Sequence, residues 1–381
     1  MSTAETHLFT PLELRDVHFR NRIAVSPMCQ YSSADGFAND WHLVHLASRA
    51  VGGAGLVMME ASAVEARGRI SPEDHGIWKD EHIDFLARIA SFVNTQGAAA
   101  GIQIAHAGRK ASTRRPWEGG GTIPAAEGGW RPVAPSALPF RPEDPAPEEL
   151  SKPGIQSLVD AFAAAAVRAL RAGFQVLEIH GAHGYLIHEF LSPLSNRRSD
   201  EYGGTFENRI RFALEVTEAV RAAWPERLPL FLRISSTDWV DGGWSIEESV
   251  ELARRVRDLE AGAAGAGPGS GPGRLLVGRH VARAEDSHGS GLPGSLRRAH
   301  PAGSGHSDGR GGADHHAAAG RRNRAVGEGG PGAAGARVFA RSILSAACGQ
   351  SVGSGDQGAG AVSQGVVTGR ERRYTPQRRS A

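Results

Sequence analysis

QVLEIHGAHGY, residues 175 to 185, decides the fold reading. Its first five residues form an apolar run suited to a buried strand, and His180, His183 and Tyr185 follow directly. Chemistry-bearing side chains thus collect just past the C-terminal end of a strand. The same arrangement recurs outward in both directions. Upstream, the run at 22–28 (RIAVSPM) is followed by Cys29 and Gln30, the run at 56–59 by Glu60, and GIQIA at 101–105 contains Gln103 and precedes His106. Downstream, PLFLRIS carries Arg233. Between the runs lie helical patterns: WHLVHLASRAV capped by Asp40 and closed by Gly52 and Gly53, HIDFLARIASFVNTQG, and segments at about 155–172, 208–224 and 245–259. A Gly/Pro-rich excursion occupies about 111–150. Apolar strands alternating with amphipathic helices imply a parallel sheet covered on both faces. Doubly wound sheets and (β/α)8 barrels both fit that alternation. No GxGxxG turn follows the first strand, and polar residues at the strand ends are where a barrel keeps its active site. An α/β (β/α)8 TIM barrel is predicted, truncated after the fifth βα unit, since only five units are readable.

Composition separates the chain into two parts. Of its 50 glycines, 28 fall in the 121 residues from Ala261 onward, a stretch with 16 Arg and no Lys or Trp. The only aromatics there are Phe339 and Tyr374. So few large apolar residues cannot bury enough surface to offset ordering entropy. The domain reading is therefore a partial barrel at 1–260 and a Gly/Ala/Arg-rich disordered tail at 261–381. A net charge of +2 marks no polyanion binder. Cys29 and Cys348 cannot form a disulfide framework, the first residues show no signal peptide, and no run is long enough for a membrane span. The expectation is a soluble cytoplasmic protein without membrane or nucleic-acid partners.

The HxxH pair at 180 and 183, with Tyr185 two residues on, admits three readings. Two imidazoles can donate paired hydrogen bonds to a carbonyl or nitro oxygen while a nearby phenol supplies a proton. They can ligate a metal, although no third ligand is spaced for zinc; no metal is expected. They can also be satisfied by backbone groups.

Five stretches in order carry a family resemblance: SPMCQYS at 26–32, IQIAHAGRKAS at 102–112, HGAHGYLIHEFLSP at 180–193, NRRSDEYGGTFENR at 196–209 and LRIS at 232–235. From about Leu8 to Leu259 the chain resembles the bacterial old yellow enzymes, in the subclass of NADPH dehydrogenases and xenobiotic reductases that carries a Cys beside the flavin. The resemblance implies FMN as cofactor, NADPH or NADH as reductant, and small molecules with activated C=C bonds as substrates. It implies a homo-oligomeric habit as well. Ser26, Pro27, Met28 and Cys29 would line the flavin edge, with Ala61 touching the ring through its main chain. Gln103 would meet the pyrimidine edge, and Arg233 would stabilise the charge of reduced flavin. His180 and His183 would hold the electron-withdrawing oxygen of an α,β-unsaturated carbonyl or nitro compound, hydride would come from flavin N5, and Tyr185 would protonate the α-carbon. Tyr31 matches the tyrosine near the substrate. Arg109 and Lys110 read equally as cofactor contacts and as solvated loop charge.

After Leu259 the resemblance stops, where strands six to eight and the FMN phosphate loops are due. GC-rich coding DNA read out of frame yields the Gly, Ala, Arg, Pro and His excess of this tail. With synonymous codons and one nucleotide dropped, 275–280 can read CSSGG, the family's sixth-strand motif. The same shift turns 305–315 into GIPTAAVGLI and 340–347 into RDPYxPLR, in family order. A frameshift between about 261 and 273 is the expectation. A chain so altered exposes sheet edges, lacks the phosphate anchor, and is expected to fold poorly and hold FMN weakly. The alternative is an inactive remnant whose Arg/Gly-rich tail binds RNA or an acidic partner.

Overall fold

The computed structural model describes residues 7–263 and 276–280. The expected tail beyond them, including the segments carrying the hidden motifs at 305–315 and 340–347, lies outside the described residues.

The chain enters through a short antiparallel hairpin, β1 (Leu12–Leu14) and β2 (Val17–Phe19), which the sequence pattern did not reveal. Then come β3 (Ala24–Val25), α1 (Asp40–Val51), β4 (Leu56–Ala63), α2 (Ile83–Thr95) and β5 (Ala99–Ala105). The Gly/Pro-rich excursion contributes only the two-residue pair β6 (Val133–Ala134) and β7 (Glu148–Glu149). There follow α3 (Lys152–Arg171), β8 (Val176–Gly181), α4 (Leu186–Leu191), α5 (Phe206–Ala223), β9 (Leu230–Ser235), α6 (Ile246–Ala263) and β10 (Leu276–His280).

The helices begin where side chains can satisfy their first amide groups. Asn39, not Asp40, caps α1, its side chain accepting from the Trp41 amide while His42 reaches back to the cap. Ser151 and Thr205 cap α3 and α5. In α3 the buried set Ile155, Leu158, Val159, Phe162, Ala165, Ala166 and Ala169 repeats at three and four residues, laying one apolar stripe on the sheet.

All strands of the main sheet are parallel, in the order β10-β9-β8-β5-β4-β3. Each new strand is added beside the previous one, with no reversal of direction. A doubly wound fold needs such a reversal, so the winding is that of a TIM barrel carried part-way round. β3 and β4, β5, β8 and β9 with their helices make the five βα units read from the sequence. β10 adds backbone at the sixth position, which the sequence reading had counted as missing. Every residue of β4, β5 and β8 is buried, as strands covered on both faces require.

Candidate active site

The strand ends converge on one face, and three rings dominate it. His180 is the penultimate residue of β8, and the turn after it holds His183 in a left-handed conformation, φ 62°. The His183 amide donates to Ser235 Oγ at 2.9 Å. Tyr185 is the residue before α4, at its N-cap position. His180 and His183 have ring centroids 5.0 Å apart, His180 and Tyr185 5.1 Å, and all three pairs are edge-to-face.

The local hydrogen bonds settle which nitrogen of His180 faces outward. Its Nδ1 accepts from the Ala182 amide at 3.2 Å. Burial, with nearby cationic groups, holds the imidazole well below its usual pKa, so it is neutral and carries its proton on Nε2. That N–H is a fixed donor. His183 is exposed, its carbonyl accepting from Lys110 Nζ at 3.1 Å. Burial pushes the Tyr185 phenol well above its usual value, so it stays protonated. Tyr31 and Tyr185 share the wall of an open cleft of about 450 Å3, which Arg109 and Lys110 also line. Tyr31 has φ 49° and packs edge-on against Trp117 at 5.6 Å.

Below the rings, register brings a second group together. Gln103 pairs with Glu178, and His180 with Arg233. Gln103 Nε2 donates to Glu178 Oε1 at 2.6 Å, and the Arg233 guanidinium lies 3.9 Å from the same oxygen. All three are buried. Burial raises the Glu178 pKa, with Arg233 and then Gln103 opposing the shift. Glu178 shares the inward face of β8 with His180, two residues on, and that period is the signal by which sequence could have found it.

On the other flank, a bulge between Met59 and Ala61 interrupts the β4–β5 register at Glu60. Glu60 Oε2 accepts from the Gln30 amide at 2.6 Å, and Oε1 lies 3.1 Å from His42 Nε2. Ser26 is buried and Pro27, Met28 and Cys29 half-buried on the segment that follows β3. The Cys29 thiol is pushed well up by burial and by the charges of Asp74 and Glu60, countered by the Ala61 backbone. It is a thiol, not a thiolate. His106, grouped with the polar strand ends by sequence, holds a turn: Nδ1 accepts from the Gly108 amide at 3.0 Å and Nε2 lies 2.9 Å from Glu65 Oε1.

Sequence reasoning missed Asp74 and the His188–Asp238 pair. His188 Nδ1 accepts from the Gly184 amide at 2.7 Å, and its Nε2 lies 2.9 Å from Asp238 Oδ1. That contact ties the turn after β8 to the loop after β9. Asp74 has no strand or helix period to betray it. Among the described residues no three His, Cys, Asp or Glu are grouped to hold a metal ion. No described helix is long and apolar enough to cross a membrane.

A sequentially wound parallel sheet with a histidine pair, a tyrosine and buried Arg and Gln side chains at its C-terminal ends fits a barrel of the flavin-dependent oxidoreductase class. The chain belongs to the NADH:flavin oxidoreductase / NADH oxidase family, the old yellow enzymes, whose profile matches residues 7–265. An NADPH dehydrogenase of a Geobacillus species (strain WCH70) is 49% identical over 256 residues, 67% of this chain and 70% of that one. An NADH:flavin oxidoreductase of Gibberella zeae is 47% identical over 267 residues, 66% of this chain and 65% of the relative. The match therefore spans about two thirds of these curated relatives. Among solved structures, morphinone reductase in complex with tetrahydroNAD is similar at TM-score 0.57 and 28% identity, over 68% of this chain and 71% of that one. The old yellow enzyme homologue from Zymomonas mobilis gives 0.57 and 30%, over 66% and 70%.

Proposed function

We propose that residues 1–260 are the hydride-transfer part of an FMN-dependent NAD(P)H oxidoreductase that reduces activated C=C bonds in small molecules. The observation that carries this is the neutral His180, held with its Nε2–H outward beside His183 and Tyr185. Such donors draw electron density from a carbonyl or nitro oxygen, making its β-carbon electrophilic. Tyr185, kept protonated by burial, supplies the proton at the neighbouring carbon. Tyr31, across the cleft, bounds the substrate.

The residues fit the flavin ring. Arg233 is buried, yet its described carboxylate neighbour stands 3.9 Å away, beyond hydrogen-bond reach, so its donors are not spent on that partner. Gln103 offers an amide beside it, and Ser26, Pro27, Met28, Cys29 and Ala61 bound the opposite side. FMN, when bound, supplies the hydride, and NADPH or NADH regenerates it. The phosphate contacts expected after Leu259 fall outside the described residues.

The frameshift belongs to the same proposal: residues beyond about 261–273 are read out of frame, and the chain holds FMN weakly. The end of the family match at residue 265 supports this reading. Two measurements test it. FMN fluorescence quenching should give weak binding for the chain as written and tight binding once the shifted frame is restored. The restored chain should then oxidise NADPH in the presence of an enone, with a loss of about a hundredfold or more in His180→Ala. A yellow, turning-over preparation of the unrestored chain would overturn the weak binding. A restored, flavin-loaded chain inert toward enones and nitroalkenes would overturn the activity.

A further inference from the structure

One buried acid at the site has no role in the reaction as described above. Asp74 lies on the loop between β4 and α2, 3% exposed. Its Oδ2 accepts from the Ile70 amide at 2.6 Å and, more weakly, from the Ser71 amide at 3.4 Å. Its Oδ1 is buried without a hydrogen-bond partner among the described residues. A carboxyl oxygen left so is costly unless it is protonated or meets water. Beside it is a cavity of about 10 Å3, near the smallest volume that admits one water. The wall is made of Ala, Gly and Ile side chains except at two places, Asp74 and Tyr185. A water there has two polar side chains in the wall to bond, those of Asp74 and Tyr185.

We propose that Asp74 is the proton relay behind Tyr185, acting through one water held in this cavity. The proposal rests on Tyr185 being the proton donor. When the phenol O–H bond breaks and its proton forms the new C–H bond of the product, the phenolate oxygen takes a proton from the water. The water takes one from the Asp74 carboxyl, and the Asp74 carboxylate is reprotonated from solvent before the next turnover. One solvent proton is consumed for each hydride delivered, and no further reactant is needed.

The charge environment suits a neutral acid. Desolvation and then the charge of Glu60 raise Asp74 to about 8, with the Ile70 and Ser71 amides and Arg69 opposing. Cys29, Tyr31 and Tyr185 also feel its charge, and burial holds all three in their neutral forms. An ionised Asp74 raises the Tyr185 pKa further, making the phenol a poorer donor, so the relay fails as pH rises through about 8.

Infrared spectroscopy of the full chain tests this without flavin. A neutral carboxylic C=O band should disappear as pH rises through about 8 and be missing from Asp74→Asn. Bands of Glu178 and Glu189 are common to both proteins and cancel in the difference. The Asp74 band should shift in frequency in Tyr185→Phe, which removes one partner of the water, and in Ala107→Val, which fills the cavity. No such band in the wild-type chain, or a band that neither substitution moves, overturns the relay. With FMN in excess, Asp74→Asn should slow reoxidation by an enone about tenfold while reduction by NADPH is unchanged. Wild-type reoxidation in Asp74→Asn overturns the relay alone. Wild-type reoxidation in Tyr185→Phe overturns the assignment of Tyr185 itself, and the relay with it.

Discussion

Two buried carboxylates flank the strand ends, and they are kept in opposite ways. Glu178 sits between the Gln103 amide and the Arg233 guanidinium. Asp74 has backbone amides on one oxygen and no hydrogen-bond partner on the other among the described residues, with Glu60 close enough to raise its pKa. Burial raises both acids, but on one side a cation and an amide offset the shift, and on the other a second carboxylate adds to it.

The sharpest way to break this contrast is to take the cation from the first flank. Arg233→Met should destabilise the chain by about 3–5 kcal/mol in urea unfolding, because the buried Glu178 carboxyl loses the cation that offsets its desolvation. The double variant with Glu178→Gln should recover much of that loss. Additive losses in the double variant would show that the two side chains do not interact, and the contrast with Asp74 would collapse.

A pH series probes the second flank. Asp74 ordinarily ionises near 3.8, but its folded value is about 8. Between those values the folded state binds the proton that the unfolded state has lost. Its contribution is thus greatest below the unfolded value, falls as pH rises, and levels off above the folded one. Asp74→Asn should remove this slope and so gain stability relative to the wild type on the alkaline side. Parallel pH profiles for the two proteins would place a charged Asp74 in the fold.

How much of this was legible from residues alone follows from what periodicity can report. The strand at 56–59 was visible as a continuous apolar run, the one at 175–179 through Val176, Leu177 and Ile179, and His180 because it follows them directly. Arg233 and Gln103 were legible through the family's motifs. Glu178 was half-legible: it shares the face of His180 but looks, in sequence, like any strand glutamate. Asp74 was not legible, since a loop acid is normally solvated and only the closed chain shows otherwise. The first strand shrank from the expected 22–28 to Ala24–Val25, because Ser26 to Cys29 continue beyond it as irregular backbone. The hairpin at 12–19 escaped because strands of three residues are too short to show a period.

A third carboxyl tests whether a nearby cation alone decides the outcome. Glu189 on α4 is buried and raised to about 8, although Arg109 and Lys110 oppose the shift and the Arg109 amide donates to its Oε1 at 2.9 Å. It packs against Gly108, where φ is 60° and a Cβ would come within 2.2 Å of Glu189 Oε1. Gly108→Ala should cost about 2 kcal/mol, from the left-handed backbone and the displaced carboxyl together. A neutral effect would mean that the turn at 106–111 yields freely and does not fix the cleft wall.

The smallest effect concerns a charge held near the first flank. Asp238 follows β9, and its Oδ2 accepts from Ser192 Oγ at 2.6 Å and the Trp244 amide at 2.7 Å. Because His188 Nδ1 accepts from the Gly184 amide, its remaining proton lies on Nε2, which stands 2.9 Å from Asp238 Oδ1. Burial would raise the Asp238 carboxyl, but the His188 and Ser192 hydrogen bonds and the Trp244 amide hold it below its usual value. Its folded pKa is thus below the unfolded one. The contribution is present above the unfolded value and is lost as pH falls through the folded value, the reverse of Asp74. Asp238→Asn should cost about 1 kcal/mol at neutral pH and nothing in acid. The Gly184 amide should then exchange faster with solvent, because the imidazole it donates to is no longer held. Unchanged exchange at Gly184 would mean that the turn carrying His183 and Tyr185 is fixed by its own backbone, and that the charge beside β9 has no part in positioning Tyr185.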